Sequence, residues 1–184
     1  MFNEQRRAGP GIDGRSDTPL TRLMDTGILE RYGQPPRREV RFTTDEWLIY
    51  FAAEQFCQQA AEPTSTGAAD VYIGLLRQAR ALPIIREITF VALALTIAVA
   101  KHDQITVLCQ SADAALRALL REAAVAYGRD KPDEIRSVLL ALLHTRAADQ
   151  RDGILKRRSR VRSFVADVAQ TLGMADIVRR AEHD

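Results

Sequence analysis

Apolar residues in this chain recur every three or four positions, and the runs that carry this spacing are separated by Pro, Gly and polar clusters. That period belongs to helices with one face turned to a core. "SDTPLTRLMDTGILERYG" offers Asp17 or Thr18 as a cap with Pro19 at the first helical position, and Gly33 with "QPP" as its stop. Thr43 and Glu46 stand at capping-box spacing, flanked by Phe42 and Trp47 as a hydrophobic staple, and predict a helix to about Ala61. Its heavy anchors are Trp47, Tyr50, Phe51 and Phe56.

"EPTSTG" breaks that helix, and a further one from about Ala68 carries Val71, Leu75 and Leu76. Pro83 opens an apolar helix through Ala100, expected to be buried on nearly all sides. A restart near Asp103 leads to a periodic run ending at Gly128. Pro132 and the acids after it open the next helix, with Ile135, Val138, Leu139, Leu142 and Leu143. Gly153 precedes a helix over 153–172 that ends at Gly173, and a short terminal helix covers 174–183. No stretch of period-two alternation is long enough to predict a sheet. The expectation is an all-α, single-domain bundle of about seven to eight helices around a buried apolar one. It would occupy 17–184, behind a flexible basic tail over 1–16.

Composition agrees with that reading. Apolar residues make up 46% of the 184 and aromatics only 6%, with Ala, Leu and Arg dominant. This is helix-forming rather than sandwich-forming usage, and it excludes a chain disordered throughout. Cys57 and Cys109 sit inside apolar helical patterns and read as small buried hydrophobes in a reducing compartment. The longest uncharged apolar run, Ile88 to Ala100, has 13 residues, short of the roughly 20 a bilayer span requires. The start, "MFNEQRRAGPGIDGRSDTP", lacks the apolar core of a secretion signal. A cytoplasmic protein without membrane partners is expected.

Catalytic chemistry is not apparent. His102, His144 and His183 are far apart, with no pair at helical metal-site spacing. There is no Cys-x-x-Cys, no glycine-rich phosphate loop and no Gly-x-Ser-x-Gly. Asp45–Glu46 and Asp133–Glu134 lie at helix starts, where they complement the helix dipole. A non-enzymatic protein without cofactor or metal is expected.

Charge changes the picture. Residues 1–42 hold eight Arg against six acids, 43–150 ten basic residues against thirteen acids, and 151–184 eight against five. A mildly acidic body between basic ends points to a partner contacted by the ends. "GILKRRSRVRSF", residues 153–164, packs Lys156, Arg157, Arg158, Arg160 and Arg162 into seven positions. The helix's apolar stripe uses Ile154, Val161, Val165, Val168 and Leu172. At about 100° per residue, Lys156 and Arg160 fall opposite the stripe, Arg158 and Arg162 on one flank and Arg157 on the other. No Glu occurs between 153 and 166 to soften the repulsion. A polyanion would, and the planar guanidinium suits phosphate oxygens. The linker arginines Arg37, Arg38 and Arg41 extend the candidate surface. Such contacts would be to the backbone of RNA or single-stranded DNA, indifferent to sequence and sensitive to salt.

Two resemblances bear on partners. "VADVAQTLGMADIVRRA", residues 165–181, resembles a helix-turn-helix. Ala169 and Gly173 match the small residue and turn glycine, and Val168, Leu172 and Met174 the apolar positions, while Arg179 stands where the motif places an apolar residue. In size and helical character, and in the cations 37–41 and 156–162, the chain also resembles the small subunits of CRISPR effector complexes. That resemblance implies a compact all-α protein without catalytic residues, lining a channel for guide RNA and target DNA beside other protein subunits. Three readings follow: a nucleoprotein subunit, a DNA-binding regulator, and an adaptor whose cluster docks on an acidic protein.

Overall fold

The computed structural model describes residues 19–32, 39–61, 67–144 and 154–183, with the backbone alone over 19–21, 154–159 and at 39 and 183. These residues are almost entirely helical, an all-α fold with one small strand pair. They divide into two compact units, one within 1–48 and the other within 49–184. The tail 1–16 lies outside the described residues.

In the first unit, α1 (Pro19–Asp25) ends well before Gly33. Gly27 adopts φ +73°, Gly27 N–H donates to Met24 O at 3.0 Å and Ile28 N–H to Leu23 O at 3.0 Å. This paired closure is a Schellman motif, which consumes the last carbonyls and turns the chain. The released residues form β1 (Leu29–Tyr32), antiparallel to β2 (Glu39–Phe42), with Leu29 opposite Phe42 and Glu30 opposite Arg41. The absence of sheet expected from sequence is thus corrected. Strands of four residues are too short for alternation to register as a pattern.

The Thr43–Glu46 capping box does not form as expected. The helix begins at Asp45, and the Thr43 hydroxyl donates to Gly27 O at 2.7 Å while its N–H donates to Ile28 O at 3.0 Å. Thr43 therefore fastens the end of the hairpin instead of accepting from a helical amide. α2 (Asp45–Ala61) then supplies, from Ile49 onward, the first helix of the second unit.

That unit holds α3 (Ala68–Ala79), α4 (Pro83–Ala98), α5 (His102–Gln110), α6 (Ala114–Asp130), α7 (Pro132–His144), α8 (Ile154–Thr171) and α9 (Ala175–His183). α4 lies between α3 and α6 and also touches α5 and α7, as its all-round apolar pattern requires. Ile88, Ala92, Leu93 and Ile97 are its buried apolar residues. It stops at Ala98, two residues short of expectation, and Ala100 takes φ +49°. Two buried threonines satisfy themselves on the helix, Thr89 on Ile85 O and Thr96 on Ala92 O. Tyr72 and Cys57 from the neighbouring helices close on the Thr96 hydroxyl at 2.9 and 3.5 Å. Burial pushes the Tyr72 phenol up to about 12.

α8 packs against α5, α6, α7 and α9. Val161, Phe164, Val165, Val168 and Ala169 are buried, confirming a core-facing stripe wider than the one read from sequence. Cys57 and Cys109 are both buried as thiols, as expected. α6 does not stop at Gly128 but continues to Asp130. No described helix is long and apolar enough to cross a membrane.

Candidate functional site

The sequence-predicted cations separate into three groups. Arg37 and Arg38 lie outside the described residues. So do the side chains of Lys156, Arg157 and Arg158, whose backbone forms the first turns of α8. Arg41 belongs to the first unit, where its Nε donates to Glu30 Oε1 at 2.7 Å and its guanidinium stacks over the Tyr32 ring at 4.0 Å. It is exposed and already paired with a carboxylate across the hairpin, a cross-strand contact that supports the register of the two strands.

Arg160 and Arg162 remain, in the second unit. Arg162 is half-buried and makes no ion pair among the described residues. Arg160 does not project from the far side of α8 as the helical wheel suggested. It is half-buried, and its Nη1 donates to Gln110 O at 2.8 Å and to Ser111 O at 3.3 Å. The reason is Phe164, one turn further along the same face and buried, which draws that flank of α8 inward. Arg160 thereby reaches the C-terminal end of α5, where backbone carbonyls lack partners and the helix dipole is negative.

A second guanidinium meets the same end. Arg117 Nη1 donates to Ser111 O at 2.6 Å from α6. α6 is started just there by Asp113, whose Oδ1 accepts from Leu116 N at 2.8 Å. One turn beyond Arg117, Arg121 pairs with Asp167 of α8 at 2.7 Å, with both side chains about half exposed. Arg117, Arg121, Arg160, Ser163 and Asp167 enclose a cavity of about 260 Å³, with Cys109 and Phe164 also in its wall.

The pocket's electrostatics are one-sided. Among the described residues, three guanidinium groups face one carboxylate, that of Asp167. Carbonyls at the end of α5 engage only the Nη1 group of Arg117 and of Arg160, and a guanidinium carries five N–H groups. Burial pushes the Cys109 thiol well above its ordinary range, so the pocket wall presents a neutral S–H and no thiolate. Among the described residues no three His, Cys, Asp or Glu side chains come together as a metal site would require. The arrangement is suited to holding an anion with oxygen acceptors.

Arg117 and Arg121 were not singled out from sequence. The signal lay in "LRALLREAAV", two arginines at i and i+4 on one helix face, a spacing that repels unless an anion lies between them. The chain matches no protein-family model, no curated protein and no solved structure.

Proposed function

We propose that this protein is a non-catalytic helical subunit of a nucleoprotein assembly, which grips the phosphate backbone of RNA or single-stranded DNA through α8 and the arginines of α6 beside it. The observation that carries this reading is the pocket in which Arg117, Arg121 and Arg160 converge beside the carboxylate of Asp167. The crowding of cations along 156–162 supports it, because the same helix contributes Arg160 and Ser163 to the pocket. A CRISPR effector complex is the kind of assembly this reading has in view, with the chain as its small subunit and other protein subunits as neighbours.

The test is retention of labelled single-stranded RNA and DNA across a salt titration. The comparison is between the native chain and a variant with Arg121, Lys156, Arg157, Arg158 and Arg162 all changed to Ala. Native binding should weaken steeply with salt, by a log–log slope of about 0.7 per phosphate contacted, and the variant should lose both affinity and slope. Equal retention by the two proteins rejects the proposal.

A second reading, a sequence-selective DNA-binding regulator, draws on the three-residue turn between α8 and α9. It requires strong preference among duplex sequences.

A further inference from the structure

The pocket between α5, α6 and α8 differs from an open basic strip in shape, charge and composition. Its volume of about 260 Å³ lies just below the range of about 300–1,000 Å³ usual for small-molecule sites. That leaves room for a phosphoryl group with part of a sugar behind it, and not for a peptide or a helix. Its walls carry guanidinium donors from two helices, Arg117 and Arg121 on α6 and Arg160 on α8, with the Ser163 hydroxyl beside them. Its remaining wall is apolar, from Phe164 and the neutral Cys109.

We infer that this pocket is a subsite for a phosphomonoester, the terminal phosphate of a nucleic-acid strand or of a mononucleotide. Charge is the first argument. Among the described residues that line it, three arginines less one aspartate leave +2, which matches the charge of about −1.5 to −2 on a phosphomonoester near neutral pH. An internal phosphodiester carries one negative charge and would leave the pocket under-neutralised. Geometry is the second. A monoester offers three unshared oxygens, enough to accept from guanidinium groups on both α6 and α8 at once. A diester offers two, so the same arginines can hold it but part of their donor capacity stays unused.

Asp167 acts as a placeholder. It holds the Arg121 guanidinium at 2.7 Å over the cavity and competes with an incoming anion for the same donors. Removing its charge therefore strengthens binding, a direction opposite to that of removing an arginine. The inference rests on the nucleoprotein reading only in naming a strand end as one source of the phosphate.

The experiment measures binding of four probes by fluorescence anisotropy and calorimetry. They are one single-stranded RNA 12-mer with a 5′-phosphate, the same with a 3′-phosphate, the same with hydroxyl ends, and adenosine monophosphate. A phosphate-ended strand should bind at least about tenfold more tightly than the hydroxyl-ended one, the scale of one charge-assisted bidentate contact. Arg121→Ala should erase that difference with an unchanged circular dichroism spectrum, and Asp167→Asn should widen it. Arg121 is the arginine to change because it makes no bond to the end of α5.

If the mononucleotide alone binds, dependent on Arg121, the monoester site stands and the nucleoprotein reading falls. If all three strands bind equally and the mononucleotide does not, the monoester site is overturned while the nucleoprotein reading stands. Binding of no probe, or a phosphate preference that survives Arg121→Ala, also overturns the site.

Discussion

Arg160, at the centre of the most basic stretch of the chain, donates its Nη1 hydrogen to the backbone carbonyl of Gln110 at 2.8 Å and so closes the last turn of α5. One of the five cations that suggested a ligand surface is therefore also a structural cap. The two roles separate by substitution. Arg160→Ala removes a charged hydrogen bond to two half-buried carbonyls and should lower unfolding free energy by about 1.5–3 kcal/mol. Arg162→Ala breaks no ion pair among the described residues and should change stability by less than about 0.5 kcal/mol. Urea denaturation of both variants checks this. Equal losses would show that Arg160 contributes no more to the fold than its neighbour.

The Tyr72–Thr96–Cys57 cluster makes a second prediction. The single Thr96 proton is donated to Ala92 O at 2.9 Å, so Tyr72 is the donor in its 2.9 Å contact with Thr96. Thr96→Val leaves the fully buried phenol without an acceptor and should cost about 1–3 kcal/mol, whereas Tyr72→Phe should cost about 1 kcal/mol, because Thr96 keeps Ala92.

The same tyrosine sets a limit on the alkaline side. With its pKa pushed up to about 12 by burial, against about 10 in an unfolded chain, the folded state prefers the protonated phenol. The stability tied to this preference is complete below pH 10 and is lost as pH rises from 10 to 12. It amounts to about 2–3 kcal/mol at most. Denaturation midpoints measured between pH 8 and 11 should fall for the native chain and fall less for Tyr72→Phe.

Most of the architecture was legible in the sequence because it depends on period and punctuation. Pro83 and Pro132 each stand at the first position of a helix, and the buried residues of α7 are Ile135, Val138, Leu139 and Leu142, as the spacing required. The elements that escaped are short or made by distant partners. The hairpin has four residues a side, and Thr43 reads as a cap until Gly27 arrives to take its proton. The candidate site was half legible for the same reason. Helical phase placed Arg160 outward, but the phase alone does not contain the end of α5, fifty residues away, that turns it inward. Nor does spacing within α8 reveal Arg117 and Arg121, which reach the pocket from another helix.

Gly128 illustrates how closely those helices meet. It is buried inside α6, and a Cβ there would stand 2.5 Å from Leu172 Cδ1 and 2.8 Å from Ile135 Cγ2. Alanine would gain up to about 1 kcal/mol of helix propensity. Against this, Ile135 is β-branched and cannot swing aside freely, and overpacking costs about 1–3 kcal/mol. Gly128→Ala should therefore lower stability by about 1–2 kcal/mol, and Leu172→Ala in the same chain should cost less than it does alone. A thermal-melt double-mutant cycle measures the coupling, and simple additivity would contradict the contact.

The last prediction concerns the segment that resembles a helix-turn-helix. Gly173 does form a turn, with φ +73°, Met174 N–H donating to Ala169 O at 2.8 Å and Gly173 N–H to Gln170 O at 3.1 Å. This closure ends a helix irrespective of any ligand. Beyond it, α9 buries Ile177 and Ala181, while Arg179 is exposed at the position where the motif places an apolar residue. The Asp176 carboxylate is gripped by Arg136 of α7, whose hydrogen bond lowers its pKa from the ordinary aspartate value. α9 thus has a packing role on one side and Arg179 and Arg180 on the other. Substituting both arginines with Ala should reduce binding to any duplex by the same factor, because charge contributes affinity without sequence information. Competition between one fixed duplex and a randomised pool checks it. Preference for a sequence that disappears in the double variant would favour the regulator reading over the nucleoprotein one.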